Sequence, residues 1–147
     1  MLETQVFNAT NKPTELEKGK IINFLHHHLE EYGDPKDDIS NCLAYALKER
    51  VSFGGFVVVT TEGDEILGAV IVNKTGMNGY IPENILVYIA THHAHRGKGI
   101  GKTLMQKTIS LASGDIALHV EKDNPAIKLY EKYGFTTPYL EMRYKRS

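Results

Sequence analysis

Residues 96–101 read Arg96-Gly97-Lys98-Gly99-Ile100-Gly101, and they stand between an apolar stretch and a segment with helical periodicity. Three glycines within five residues allow the backbone to approach a bound ligand closely. A helix that begins near residue 99 would offer unpaired N–H groups and the positive end of its dipole to an anion. The stretch therefore predicts a strand, a turn and a helix, with a phosphorylated ligand at the turn.

Two common phosphate-binding motifs do not fit the spacing of these glycines. A nucleotide-binding P-loop needs a glycine five residues before the glycine of its terminal Gly-Lys-Ser/Thr. Gly101-Lys102-Thr103 fits that ending, but Arg96 occupies the position of the required glycine. A dinucleotide-binding motif needs Gly-x-Gly-x-x-Gly, and its third glycine would fall on Lys102 or Leu104. The pattern that remains is Arg-x-x-Gly-x-Gly.

The rest of the chain alternates helical and extended patterns. A short strand is predicted around residues 5–8, and the capping box Thr14-Glu15-Leu16-Glu17 opens a first helix. A second helix carries Cys42 on its apolar face, where burial would keep the thiol protonated and inert. The later predicted elements are strands over residues 56–61, 66–73 and 85–91, a helix over 99–112, a strand over 116–120, a helix over 125–133 and a final β segment over 135–144. Together they predict a three-layer α/β domain.

Length, composition and charge limit the classes of function. The chain has 147 residues, 41% of them hydrophobic, and a formal net charge of −1, which suits one domain with its own core. The near-neutral charge disfavours nucleic acid and anionic membranes as partners. The longest apolar runs are the length of strands, and the N-terminus lacks a secretory pattern, so the cytoplasm is the expected compartment.

A second distinctive segment follows the glycine turn after one predicted helix and one predicted strand. It reads Asp123-Asn124-Pro125-Ala126-Ile127-Lys128-Leu129-Tyr130-Glu131-Lys132-Tyr133-Gly134-Phe135. The two segments resemble the signatures of the GNAT acyltransferase superfamily, namely Gln/Arg-x-x-Gly-x-Gly/Ala, and then Asn, Ala-x-x-Leu-Tyr and Glu-Lys-x-Gly-Phe. The resemblance covers about residues 53–145 and matches the N-terminal third only in outline.

This resemblance implies a particular fold and cofactor site. The expected GNAT-like domain spans residues 1–147 and has a mixed, mostly antiparallel central sheet, helices on both faces, and splayed fourth and fifth strands. In the family, pantetheine runs between the splayed strands, which implies main-chain contacts from Ile89 and Thr91. The expected pyrophosphate contacts come from main-chain groups of Gly97, Lys98, Gly99, Ile100, Gly101 and Lys102. Arg96, Lys98 and Lys102 could add positive charge there or be solvated cations.

The second segment supplies two more candidate residues by the same resemblance. Family members commonly place a side-chain donor seven residues before the tyrosine, where this chain has Asp123, and Asn124 stands six before Tyr130. Asn124 could contact pantetheine or act as a helix N-cap. Tyr130 is the implied catalytic residue, because a phenol beside the thioester sulfur can donate a hydrogen bond as the thiolate leaves. The alternative is that Tyr130 only packs its helix on the sheet.

No general base and no metal site are predicted. Residues 87–89 of the fourth strand are Val, Tyr and Ile, and Glu83 stands only at its start. In the run His26-His27-His28, adjacent helical residues point in different directions and cannot converge on one ion.

The function implied by the resemblance is acetyl-CoA-dependent N-acetyl transfer to a primary amine, directly in a ternary complex. The expected partners are acetyl-CoA and a small-molecule or protein amine, without nucleic acid or membrane, and a homodimer is compatible with it. An acidic helix connection could steer a cationic amine or be a solvated junction: Glu30, Glu31, Asp34, Asp37 and Asp38. The alternative function is a non-catalytic CoA-binding regulatory or interaction module.

Overall fold

The helices and strands of the computed structural model, which describes residues 1–146, follow the predicted order. They are β1 (Leu2–Phe7), α1 (Glu15–His28), α2 (Lys36–Ala46), β2 (Gly55–Glu62), β3 (Glu65–Lys74), β4 (Asn84–Thr91), α3 (Ile100–Leu111), β5 (Ile116–Leu118) and α4 (Ile127–Lys132). Two single 3-10 turns, Glu30–Tyr32 and His93–His95, follow α1 and β4. None of the helices within the described residues is long and apolar enough to cross a membrane.

Within residues 1–146 the central sheet has five strands, in the order β1-β2-β3-β4-β5. The pairs β1–β2, β2–β3 and β3–β4 are antiparallel, and among the described residues only the pair β4–β5 is parallel. Because side chains alternate along a strand, β2 and β3 bury apolar residues on both faces. Helices α1 and α2 cover a core around Leu25 and Ile71, whereas α3 and α4 cover one around Val70 and Leu104. The predicted mixed sheet with helices on both faces is confirmed.

Strands β4 and β5 pair only where both begin. Their ladder joins Asn84 to Ile116 and ends where Leu86 meets Leu118. Beyond that point, over residues 87–91, β4 keeps β3 as a partner but has no β5 ladder among the described residues. The predicted splay of the fourth and fifth strands is therefore confirmed, and outward main-chain groups of β4 remain for a ligand.

Helix α3 lies unusually close to β3 at one glycine. A Cβ atom added at Gly68 would lie 2.7 Å from Ile100 Cγ2 and 2.8 Å from Leu104 Cδ1. The missing side chain therefore lets the first two turns of α3 rest directly on the sheet. This contact fixes the start of α3, and with it the glycine turn, against the end of β4.

The predicted final β segment over residues 135–144 is wrong. The structure assigns no strand to residues 135–146, and four large apolar side chains there are exposed: Tyr139, Leu140, Met142 and Tyr144. A strand needs a hydrogen-bonded partner, and the neighbouring β5 is only three residues long. Pro138, which has no N–H, removes one further ladder bond.

Two predicted elements are shorter than expected. The helix predicted over residues 125–133 begins at Ile127 and ends at Lys132. Asn124 Oδ1 accepts a 2.9 Å hydrogen bond from the Ala126 N–H, and this Asx turn keeps the preceding residues outside the helix. The strand predicted over residues 116–120 ends at Leu118, because the divergence from β4 removes its partner.

Candidate active site

A cavity of about 510 Å³ opens where β4 and β5 diverge. Its wall brings together six of the residues predicted from the sequence: Ile89, Thr91, Arg96, Gly101, Asn124 and Tyr130. The cavity reaches both layers of the fold, because Tyr88 packs on the side of α1 and α2 whereas Tyr130 packs on the side of α3. A ligand in the opening could therefore contact groups from both sides of the sheet.

The glycine turn has the conformation that its sequence requires. Gly97 and Gly99 both have φ of +82°, in the left-handed region that favours glycine, and α3 begins at Ile100. The N–H groups of the first turn of α3 have no intrahelical acceptor. A Cβ atom at Gly101 would lie 3.4 Å from Leu129 Cδ2 and 3.6 Å from Thr91 Oγ1. Gly101 thus marks the point where α3, β4 and the segment of α4 converge.

Five of the predicted cofactor-binding residues lie outside the cavity wall: Gly97, Lys98, Gly99, Ile100 and Lys102. The Ile100 side chain is buried in the core, and the Lys98 and Lys102 side chains are exposed. A role for Ile100 can therefore come only from its main chain. The other four remain predicted contacts.

Arg96 is attached to the end of α1. Its Nη2 donates to the main-chain oxygen of His28 and to Glu30 Oε1, both at 3.1 Å. The Glu30 pair is half-exposed and is screened by solvent. The guanidinium lines the cavity, but Glu30 offsets part of its charge. Arg96 therefore links the glycine turn to the end of α1, and it also presents positive charge to a ligand in the cavity.

Asn124 lies at the cavity but does not cap α4. The N-cap residue of α4 is Ala126, and no side chain caps that helix. Of the two roles predicted for Asn124, the helix N-cap is therefore wrong, and the pantetheine contact stays a prediction. Its Oδ1 holds the Asx turn, and its Nδ2 reaches Glu121 Oε1 only at 3.4 Å. The amide N–H₂ thus retains capacity to donate to a ligand.

Tyr130 is both a core residue and part of the cavity wall. Its side chain is 7% exposed, and its ring meets that of Phe135 edge to face at a centroid distance of 6.0 Å. Burial, with a smaller contribution from the charge of Glu121, raises the pKa of Tyr130 to about 12. The phenol is therefore a stable hydrogen-bond donor at neutral pH. Full proton transfer from it to a thiolate is more unfavourable than for an ordinary tyrosine.

A second tyrosine contact was not predicted from the sequence. Tyr88 of β4 donates a 2.6 Å hydrogen bond to Asp34 Oδ2, in the connection between α1 and α2. Both residues line the cavity. Burial and the bond to Asp34 raise the pKa of the Tyr88 phenol, so it stays protonated. Strand alternation could have placed Tyr88 on the α1 and α2 side, but it could not identify a partner so distant in sequence.

A group of imidazoles joins α1 to the turn after β4. One ring nitrogen from each of His27, His28 and His93 lies within 4.8 Å of the others. From the sequence alone, only the run His26-His27-His28 was weighed as a metal site, and nothing in the sequence placed His93 beside it. His28 Nδ1 accepts a 3.2 Å hydrogen bond from the His93 main-chain N–H, so Nε2 carries the proton of the neutral ring. Metal binding at His28 would have to break this bond or displace that proton. The geometry therefore favours a structural role, in which these imidazoles pack α1 against the turn after β4.

Lowering the pH should destabilise the protein through His28. Burial, followed by nearby positive charge on His92, His27, His93 and Arg96, lowers the pKa of His28 to about 4. Between pH 6.5 and 4 the unfolded chain binds a proton that the folded protein rejects, so stability decreases as the pH falls. Urea unfolding at pH 7 and pH 5 should show a loss of ~2 kcal/mol that is absent in His28→Gln.

The exposed neighbour His26 provides the control for this measurement. His26→Gln should keep the pH dependence of the unmodified protein. If His28→Gln and the unmodified protein show an equal pH dependence of stability, the assignment of this effect to His28 is contradicted.

Comparisons with known proteins agree with this architecture. Residues 53–137 match a family model described as an acetyltransferase (GNAT) domain. Similar solved structures include the GNAT-family acetyltransferase SP0256 from Streptococcus pneumoniae TIGR4, with a TM-score of 0.69 at 15% identity over 99% of this chain and 98% of that one. An aminoglycoside acetyltransferase, HMB0005, from an uncultured soil metagenomic sample has a TM-score of 0.67 at 20% identity over 100% and 99%.

A third similar structure is a ribosomal-protein-alanine N-acetyltransferase from Brucella melitensis biovar Abortus 2308. Its TM-score is 0.62 at 18% identity, over 99% of this chain and 100% of that one. At these identities the structural similarity establishes the fold alone, and two of the three proteins are named for different acceptors, an aminoglycoside and the alanine of a ribosomal protein.

Proposed function

The chain belongs to the GNAT acetyltransferase family, and we propose that it transfers the acetyl group of acetyl-CoA directly to a primary amine in a ternary complex. The observation that carries the proposal is the cavity between β4 and β5, which joins the end of the glycine turn to Tyr130 and to an opening on the α1 side. One continuous space can therefore hold a thioester and an amine together, as direct transfer requires.

The cofactor half of the site fits acetyl-CoA through main-chain groups. Pantetheine would lie along β4, where Ile89 and Thr91 stand beyond the end of the β5 ladder. The pyrophosphate would lie at the start of α3, close to Gly101, where a side chain would meet Leu129. Asn124 would donate to pantetheine through Nδ2, and the cations of the turn would add charge at the pyrophosphate.

The proposed reaction needs only one side chain of the protein to act on the reacting atoms. The amine nitrogen forms a bond to the acetyl carbon, the bond from that carbon to sulfur breaks, and Tyr130 donates a hydrogen bond to the sulfur as negative charge develops. The proton of the amine passes to water. Glu83 is unsuited as the base, because Glu83 Oε1 accepts a 2.9 Å bond from the Asp115 N–H, and main-chain hydrogen bonds lower the pKa of Glu83.

The proposal is tested by mixing the protein with acetyl-CoA and each of a panel of primary amines. We expect native mass spectrometry to show bound acetyl-CoA, and free CoA to be released only when an amine is present and becomes acetylated. Bound CoA without amine-dependent release across the panel would instead favour the non-catalytic module. Absence of CoA binding would contradict both functions.

A further inference from the structure

We propose that Asp34, held by Tyr88, binds a second positive charge on the acceptor, so that the preferred acceptors are diamines or larger polycationic amines. The inference rests on the proposed function, because it concerns the acceptor half of the same cavity. It identifies a pair of residues that determines which amines are accepted.

The position of Asp34 is set by two elements. The residue follows the 3-10 turn after α1 and lies just before α2, and its side chain reaches over the cavity to β4. Tyr88, only 7% exposed, donates to Oδ2 at 2.6 Å. Asp34 itself is exposed to solvent, and a short bond from a buried phenol favours one orientation of its carboxylate. The site is therefore organised before a ligand arrives.

Asp34 is the carboxylate of this connection that best suits a cationic ligand. Glu30 also lines the cavity, but Arg96 already binds it at 3.1 Å. The remaining acidic residues of the connection do not line the cavity: Glu31, Asp37 and Asp38. Among the hydrogen bonds of residues 1–146, Asp34 uses only Oδ2, which leaves Oδ1 for an ammonium group. The other cavity cation, Arg143, is paired with Glu141 at 2.8 Å.

The charge held by Asp34 is separate from the nitrogen that reacts. Tyr88 belongs to the core on the α1 and α2 side of the sheet, whereas Tyr130 belongs to the core on the α3 side. An amine attacking beside Tyr130 is therefore displaced from Asp34 across the sheet opening. A carboxylate next to the attacking amine would also stabilise its protonated, unreactive form. Both points favour a second ammonium group as the ligand of Asp34.

The test compares short linear diamines with monoamines of equal chain length. Calorimetry on the CoA-saturated protein should show that at least one diamine binds ~10-fold or more tightly than its matched monoamine, as expected for one charge-assisted contact. Asp34→Asn should remove this preference without changing CoA affinity. Asp37→Asn removes the same charge from another exposed residue, which lies in the first turn of α2 and outside the cavity wall, and should retain the preference.

The variant Tyr88→Phe tests whether Tyr88 positions the Asp34 carboxylate or only contributes to the general structure. Loss of the phenol hydrogen bond frees the carboxylate, so the preference for the diamine over its matched monoamine should fall ~3-fold or more. A wild-type protein that binds diamines no better than monoamines would overturn the inference. Equal losses in Asp34→Asn and Asp37→Asn would also overturn it, since they would indicate diffuse charge attraction. Failure of the wild-type protein to bind CoA would instead contradict the proposed function.

Discussion

Replacing Gly101 with Asp should abolish the thermal stabilisation that acetyl-CoA gives the protein, while the ligand-free protein keeps most of its stability. The added side chain would begin 3.4 Å from Leu129 Cδ2, at the convergence of α3 and β4, and would bring a negative charge to the proposed pyrophosphate site. Without ligand the substitution is mild, because Gly101 does not have a positive φ and an acid in the first helical turn is favourable.

Thermal unfolding with increasing acetyl-CoA measures this effect. A ligand at about 100 times its Kd stabilises the folded state by ~2.7 kcal/mol, and the Asp variant should show almost none of this gain. Gly101→Asn is the matched control, since it adds nearly the same volume without the charge and should retain part of the stabilisation. Undiminished stabilisation in Gly101→Asp would contradict the pyrophosphate site at the start of α3. Gly99 is a poorer position for the experiment, because its φ of +82° strains any other residue.

The features that the sequence predicted correctly are those determined locally. The capping box forms as expected, with Thr14 Oγ1 accepting from the Glu17 N–H at 3.1 Å and Glu17 Oε1 accepting from the Thr14 N–H at 2.8 Å. Gly97 and Gly99, both with positive φ, lie in the predicted turn before α3. Such features depend on residues a few positions apart, so short patterns are sufficient to identify them.

The features that the sequence missed depend on distant partners. Asp34 meets Tyr88, and Arg96 meets Glu30, only because the connection after α1 folds over the end of β4. The predicted final β segment was wrong for a related reason, since alternation of side chains cannot say whether a partner edge exists. The proposed acceptor half of the cavity therefore had to come from the structure, whereas the proposed cofactor half could be outlined from the glycine spacing and the segment around Tyr130.

The largest effect on catalysis is expected from Tyr130→Phe, which should lower turnover by ~10–10³-fold while changing acetyl-CoA affinity little. The phenyl ring can keep its contact with Phe135, so only the hydrogen-bond donor is lost. Because burial holds the pKa of Tyr130 at about 12, the lost donor is a protonated phenol throughout the neutral range. Turnover should therefore fall by a similar factor at every pH from 6 to 9.

Tyr133→Phe provides a matched control for this measurement. Tyr133 is half-buried near the end of the same helix, but it does not line the cavity, and its hydroxyl oxygen has no hydrogen-bond partner among the described residues. Removing that hydroxyl should leave turnover unchanged and raise stability by up to ~1 kcal/mol, since an unsatisfied buried polar group is lost. Single-turnover rates with saturating acetyl-CoA compare the two variants directly. If Tyr130→Phe turns over at the wild-type rate, Tyr130 serves only to pack its helix on the sheet. If both variants lose turnover equally, the cause is a general disturbance of α4 and not the loss of a hydrogen-bond donor at the sulfur.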